Sequence, residues 1–407
     1  MATDKSQVDR QQIILFSLFF LFYFGGVGLI QPFITLHFHK IGMTGLQIGG
    51  ITTISGLLVL VAAPLLGGIY DRTHRKRTFF QVVMTISGVF LFLVGKVQYF
   101  WPVLALYTLY RIGGASTIPT AENLAYSVSQ EGGRKRNSFG YMRLWGSIGF
   151  SITALVGGWI VEKFDIQINF MLFLVFLIFG VGLISFVPAK TFRHTQETSK
   201  DKDILKPSVL RIILKDKYLW LMVTALAITY PVANGIRNFE PIYMNQLNVS
   251  ESMIGLAATL SALGEVPFML WADQWISRVG ITHILLFVFF IDLLRRLSVW
   301  FFPFGLMVVI MHIATSVSFS LRLVTTVSMV NQRVPREFTT TALALITMTL
   351  FGISNMVSNA ISGLIFDKYS GRELYLLSAV GCLVSLGLAL WAASVEKKNQ
   401  NNNQANV

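Results

Sequence analysis

The chain has 407 residues, 54% of them hydrophobic and 13% charged, with a formal net charge of +13 and a mean hydropathy of +0.62. Soluble globular proteins carry about 25% charged residues, so this composition excludes an ordinary soluble enzyme, a disordered chain and a nucleic-acid-binding protein. The single cysteine, Cys382, lies in an apolar run and excludes a disulfide framework, a redox CxxC pair or a cysteine zinc site.

A bilayer-crossing helix needs about 20 apolar residues. Twelve runs meet that length, near 13–36, 47–70, 78–97, 101–128, 143–161, 168–188, 217–244, 252–272, 281–302, 304–332, 339–366 and 374–394. They are predicted to be helices, because lipid offers no partner to a backbone N–H or C=O. The first run is too long for a signal peptide and has no small-residue cleavage site. It contains Gly25, Gly26, Gly28 and then Gln31-Pro32, which reads either as a bend or as close helix packing.

The fold class expected is an all-α membrane protein, twelve spans in two pseudo-symmetric six-helix bundles. Residues 1–12 form a cytoplasmic segment, 13–188 the first bundle, 189–216 a solvated cytoplasmic linker, 217–394 the second bundle and 395–407 a disordered cytoplasmic tail rich in Asn and Gln. Span 5 ends Gly157-Gly158-Trp-Ile-Val-Glu162-Lys163, and span 11 ends Ser362-Gly363-Leu-Ile-Phe-Asp367-Lys368. Glycine, acid and lysine recur at one offset, as parallel repeats would place them. Lysine and arginine concentrate at 72–77, 134–136 and 190–217, whereas the alternate loops hold only Lys40, Lys96, Lys163, Lys368 and Arg372. The positive-inside rule then puts both termini in the cytoplasm of an inner or plasma membrane. Tyr99-Phe100-Trp101 and Trp300-Phe301-Phe302 fall at predicted outer ends, where aromatic anchors belong.

Charges inside the spans are costly, about 2.5–3.5 kcal/mol each on the insertion scale. The basic ones are Arg111, Arg143, Arg237, Arg295, Arg296 and Arg322; the acidic ones are Glu122, Glu240, Glu265 and Asp292, and His312 lies in span 10. So many call for a polar cavity. Asp292 with Arg296, and Arg237 with Glu240, are spaced as self-neutralising pairs on one helix. Arg322 lies near a span end and reads as able to snorkel.

The loop after span 2 reads Gly67-Gly68-Ile-Tyr-Asp71-Arg72-Thr-His74-Arg75-Lys76-Arg77. It resembles the signature of the major facilitator superfamily, with His74 where that family has glycine. The resemblance implies a conformational latch of Gly67, Asp71, Arg72, Arg75 and Lys76, in which Gly67 permits close helix approach and Asp71 meets helix N-termini. Tyr110-Arg111-Ile-Gly113-Gly114 and Arg143-Leu-Trp-Gly-Ser-Ile-Gly-Phe150 are similar to the branch holding lactose permease, nucleoside–proton symporters and phenylpropionate permease. That likeness implies a substrate site of Glu122, Arg143 and Phe150, in which carboxylate and guanidinium hold the solute and a ring covers its apolar face. In span 8 Gly264-Glu265-Val-Pro267, in span 9 Leu294-Arg295-Arg296 and in span 10 Met311-His312 resemble the coupling region of the same branch. They imply proton coupling by Glu265, Arg295 and His312, and Asp292 joins them as an interior acid of span 9. The branch's acidic residue one turn after the histidine is Thr315 here, so Glu265 is expected to carry the proton, with Asp292 the next choice and Pro267 breaking the helix beyond it.

The function implied is secondary active transport of a sugar, nucleoside or aromatic acid by alternating access and proton symport, with an efflux antiporter of the same fold as the alternative and a non-transporting membrane receptor as the remote one. Drug–proton antiporters usually carry a Gly-Pro pair in span 5, and Gly146, Gly149, Gly157 and Gly158 have no proline among them. The expected partners are a small solute, protons and lipid, around a monomer with no cofactor and no metal. A membrane enzyme would need a nucleophile or metal cluster, which the sequence does not offer.

Overall fold

The computed structural model describes residues 2–131, 138–189, 191–192 and 207–405. Among them are sixteen α-helices: α1 (Ala2–Ile30), α2 (Ile34–Lys40), α3 (Gly45–Arg72), α4 (Lys76–Val94), α5 (Phe100–Glu131), α6 (Ser138–Lys163), α7 (Ile166–Ile184), α8 (Pro207–Lys215), α9 (Lys217–Gln246), α10 (Glu251–Val279), α11 (Ile281–Phe301), α12 (Gly305–Ile310), α13 (His312–Arg333), α14 (Thr339–Thr347), α15 (Ser354–Lys368) and α16 (Gly371–Ala405). All twelve predicted spans fall on helix. Nine described helical stretches are long and apolar enough to cross a membrane on composition alone. The remaining spans lie on α5, α11 and α14–α15. Interior charges dilute α5 and α11, and a π-helical stretch, Met348–Ile353, interrupts the last.

Leu57, Val61, Leu65 and Ile69 project from α3 at one-turn intervals, each about half or more exposed. An apolar stripe of that kind suits contact with lipid. Tyr99, Trp101, Phe301 and Phe302 stand exposed at helix ends, where the aromatic anchors were expected.

The chain folds as two compact units. Unit 1 comprises 1–43, 51–200 and 250–259; unit 2 comprises 44–50, 201–249 and 260–407. In unit 1, α1 packs on α6 and α7, and α4 on α5 and α7. In unit 2, α9 packs on α15 and α16, and α11 on α13 and α16. Taken in span order these are the same pairings, so the duplication seen in one short motif extends to the packing of both units. The glycines of span 1 serve packing: α1 runs straight through them to Ile30, and Gly28 lies against Phe150 and Thr153 of α6. The chain turns only at 31–33, beside Pro32.

The repeated glycine–acid motif has a structural use in each unit. Thr44 caps α3, its hydroxyl accepting from Gln47 N at 3.2 Å while Gln47 Oε1 accepts from Thr44 N at 3.0 Å, a reciprocal capping box. The Asp367 carboxylate takes the next two N–H groups, Gly45 at 2.5 Å and Leu46 at 2.8 Å. In unit 1, Ser250 caps α10 through Met253 N at 3.4 Å, and Glu162 accepts from Ser252 N at 3.2 Å. Carboxylates belong there, because a helix N-terminus presents orphan N–H groups and partial positive charge. One turn on, a Cβ at Gly49 would overlap the Asn359 carbonyl oxygen, and one at Gly255 would overlap that of Ala154. Gly49→Val will therefore destabilise unit 2 by about 1–3 kcal/mol, read as a lower thermal unfolding temperature in detergent. Gly50→Ala, whose added Cβ meets nothing, will not.

Several expectations are corrected. The tail placed at 395–407 as disordered continues α16 to Ala405. Glu396 anchors it, accepting from Arg333 and, at 2.5 Å, from Thr282 Oγ1, and propagating an existing helix costs little. Part of the 189–216 linker is the short helix α8; residues 190 and 193–206 lie outside the described residues. Pro267 does not break its helix, since α10 runs unbroken to Val279. On α13, Ser316 donates to Ser261 O at 2.9 Å and Ser320 to Glu265 O at 3.1 Å, satisfying carbonyls on that stretch.

Candidate functional site

Two groups of charged side chains stand inside the spans, one in each unit. In unit 1, α5 and α6 bring Glu122 and Arg143 together, Arg143 Nε lying 3.4 Å from Glu122 Oε1. Both side chains are more than a third exposed, 38% and 37%, so the pair faces open space and is not sealed in a core. The guanidinium also lies over the Phe24 ring, its carbon 3.9 Å from the centroid. Such a contact is worth about 0.5–2 kcal/mol, more as water is excluded. Gly146 makes it possible: a Cβ there would lie 2.7 Å from the Phe24 ring and 3.0 Å from Arg143 Nη1. Tyr23 meets Phe24 edge-on at 5.0 Å, and Arg111 lies over the Tyr107 ring at 5.9 Å.

The ring on Arg143 is thus Phe24 of span 1, a residue absent from the expected site. The Phe150 backbone is taken up in the α1 crossing, against Gly28. No periodicity in the sequence links Phe24 to Arg143. The only local signal is Gly146, small where the two helices meet.

In unit 2 the charges are buried. Glu240 on α9 accepts through Oε1 from Arg295 Nη2 of α11 at 2.5 Å and from the Tyr375 hydroxyl of α16. Its Oε2 lies 3.5 Å from His312 Nε2, and His312 Nδ1 lies 2.9 Å from the Val308 carbonyl. A second group centres on Asp292. Arg322 Nη1 of α13 bonds Asp292 Oδ2 at 2.8 Å, and Arg296 Nη1 lies 3.3 Å from Oδ1 and 2.7 Å from the Asp292 carbonyl. Arg322 also lies over the Tyr230 ring at 4.8 Å. Three arginines therefore face two carboxylates here, and the Nε atoms of Arg295, Arg296 and Arg322 are buried without a hydrogen-bond partner. A buried charge must be paired or pay desolvation.

Arg295 and His312 both face Glu240. Glu240 was expected to neutralise Arg237 at i−3; instead Glu240 is buried and Arg237 is exposed. Asp292 does pair with Arg296, and Arg322 joins them: it is 95% buried and does not snorkel. Glu265 on α10 is half-buried. Of the latch residues, Lys76 is buried, its ammonium 5.4 Å from the Tyr70 ring. Asp71, Arg72 and Arg75 are exposed. A Cβ at Gly67 would meet nothing within 4 Å.

A duplicated bundle of lipid-facing helices, with charged groups inside the spans of each half, is the architecture of a secondary transporter. The MFS_1 like family model matches residues 13–377, and the chain belongs to that family of major facilitator superfamily transporters. It is 23% identical over 389 residues to a maltose permease of Geobacillus stearothermophilus, covering 94% of this chain and 95% of that one. It is 27% identical over 295 residues to the multidrug resistance protein MdtG of Serratia proteamaculans, 67% of each chain. The crystal structure of the nucleoside transporter NupG matches with a TM-score of 0.75 at 16% identity, over 95% of this chain and 98% of that one, a likeness of fold. The protein is a multi-pass membrane transporter of a small solute, not an enzyme.

Proposed function

We propose that the chain takes up a neutral, hydroxyl-rich solute, of the sugar or nucleoside kind, by proton symport. The carrying observation is the Glu122–Arg143 pair, partly open and set against the Phe24 ring. Guanidinium and carboxylate together offer donors and acceptors at no net charge, which suits vicinal hydroxyls and disfavours a free carboxylate solute. The ring supplies an apolar face for a sugar or base. A permease for maltose among the relatives and a nucleoside transporter among the structural neighbours point to the same chemistry. The buried charges of unit 2 are the candidate coupling groups, a role in which Glu265, Arg295 and His312 were placed by resemblance and Asp292 as an interior acid. The asymmetry of lysine and arginine favours both termini inside.

The test is a panel of labelled sugars, nucleosides and aromatic acids offered to proteoliposomes, with and without an inward proton gradient. Gradient-driven accumulation of a hydroxylated solute supports the reading. Extrusion of loaded solute alone would favour an antiporter, the reading that the likeness to MdtG supports.

Asp71 keeps its proposed place in a conformational latch. In this structure Asp71 is exposed near the end of α3. Asp71→Asn will lower turnover severely and leave solute affinity near the wild-type value, because the residue touches neither charged group. Equal turnover at equal expression would remove Asp71 from the mechanism.

A further inference from the structure

Both nitrogens of the His312 ring face oxygens that only accept: Nδ1 faces the Val308 carbonyl and Nε2 faces Glu240 Oε2. A neutral imidazole carries one N–H. Whichever nitrogen holds it, one of the two contacts lacks a hydrogen. We propose that the gap between Glu240 Oε2 and His312 Nε2 is the binding slot of the coupled proton. The inference rests on the transport reading above and names the group through which coupling works.

The step balances simply. A hydronium O–H bond breaks, its proton joins the lone pair on Nε2 or Oε2, and an N–H···O or O–H···N hydrogen bond replaces the bare contact. The site gains one positive charge, and release reverses the step.

Glu240 suits this step and Asp292 does not. Both oxygens of Asp292 are held by guanidinium groups, Oδ1 by Arg296 and Oδ2 by Arg322. A proton there would have to displace a charged partner in a buried setting. On Glu240 only Oε1 is held, by Arg295 and Tyr375, while Oε2 faces a histidine. Size selects as well. The crevice beside Glu240, lined by Phe239, Tyr243, Leu374 and Tyr375, is too small for a solute to enter.

Charged and titratable groups face the slot from every neighbouring helix. Arg295 on α11 and Tyr375 on α16 contact Glu240, Arg237 on α9 acts on the slot from the same helix, and Arg295 links it to the Asp292–Arg296–Arg322 cluster. Their sum opposes a further positive charge, and the direct ion pair of Arg295 with Glu240 opposes it most. Proton occupancy and the Arg295–Glu240 bond are therefore antagonistic: the slot fills as Arg295 swings off and empties as it returns. Arg295 is the positioning residue of that exchange.

Infrared difference spectra of the purified full-length protein across a pH series read the site directly. The wild type will show a titrating step in carboxyl or imidazole bands. Glu240→Gln and His312→Gln will each remove the same step, Glu265→Gln will retain it, and Arg295→Gln will move its midpoint to higher pH. In proteoliposomes, Glu240→Gln will lose accumulation down to the equilibrium ratio yet keep solute counterflow, which also shows that it folds. Should it fail to fold, His312→Gln carries the same two measurements. A step surviving both variants, a step lost in Glu265→Gln, or an unmoved midpoint in Arg295→Gln overturns the proposal. If the step lies at Glu240–His312 but wild-type transport ignores the proton gradient, the slot stands and the symport reading falls.

Discussion

Asp292→Asn will be the most destabilising single substitution in unit 2. Arg296 and Arg322 converge on this carboxylate from α11 and α13, and all three side chains are buried. Asparagine keeps the shape but removes the negative charge, leaving two guanidinium groups to repel each other where water cannot screen them. Removing one partner of a buried ion pair typically costs about 3–5 kcal/mol. Stability of a single domain is only about 5–15 kcal/mol, so the variant should show a large fall in thermal unfolding temperature and poor recovery from the membrane. A double change of Asp292 and Arg322 to a neutral pair of similar volume will recover part of the loss. A melting curve like the wild type's for Asp292→Asn would mean that Asp292 is not the counter-ion of this cluster.

Arg143→Ala will abolish solute binding without comparable loss of stability. The guanidinium is partly open, joins Glu122 at 3.4 Å and lies over Phe24 at 3.9 Å, so its removal strips both the polar clamp and the charge over the ring. Once bound solute excludes water from the pair, truncating one partner typically costs about 2–5 kcal/mol of binding, at least a tenfold loss of affinity. Arg143→Lys will restore little, because an ammonium lacks the planar fork that engages two acceptors at once. Binding of the identified solute by calorimetry or fluorescence quenching checks both variants. Wild-type affinity in Arg143→Ala would move the solute site elsewhere.

These predictions draw on contacts that differ in how far they were legible in the sequence. Spans, half-chain division and charge asymmetry follow from residue character alone, since lipid forces helices and taxes charge. The Glu122–Arg143 pair was legible through family resemblance, in span 4 and at the start of span 5. Glu240 was hidden by Arg237, which sits at pairing distance along the helix but on its exposed side. Arg322 read as a residue near a span end, yet its partner Asp292 lies thirty residues away on α11. Phe24 was one of four phenylalanines within the first span's 19–24 stretch, and only the crossing of α1 with α6 selects it. Partners brought together by packing carry no local spacing to read. The helical tail was missed for a different reason: a composition of Asn and Gln was weighed without the helix that leads into it or the Arg333–Glu396 contact that holds it.

The central claim is that solute and proton cross together, the solute at Glu122–Arg143 and the proton at Glu240–His312. Unbuffered proteoliposomes, with a glass electrode outside and no imposed gradient, test it most directly. Adding the transported solute outside should make the medium more alkaline as solute enters, in proportion to the amount taken up. The change should vanish in Glu240→Gln. Solute entry with no movement of protons, or with acidification of the medium, would contradict the account.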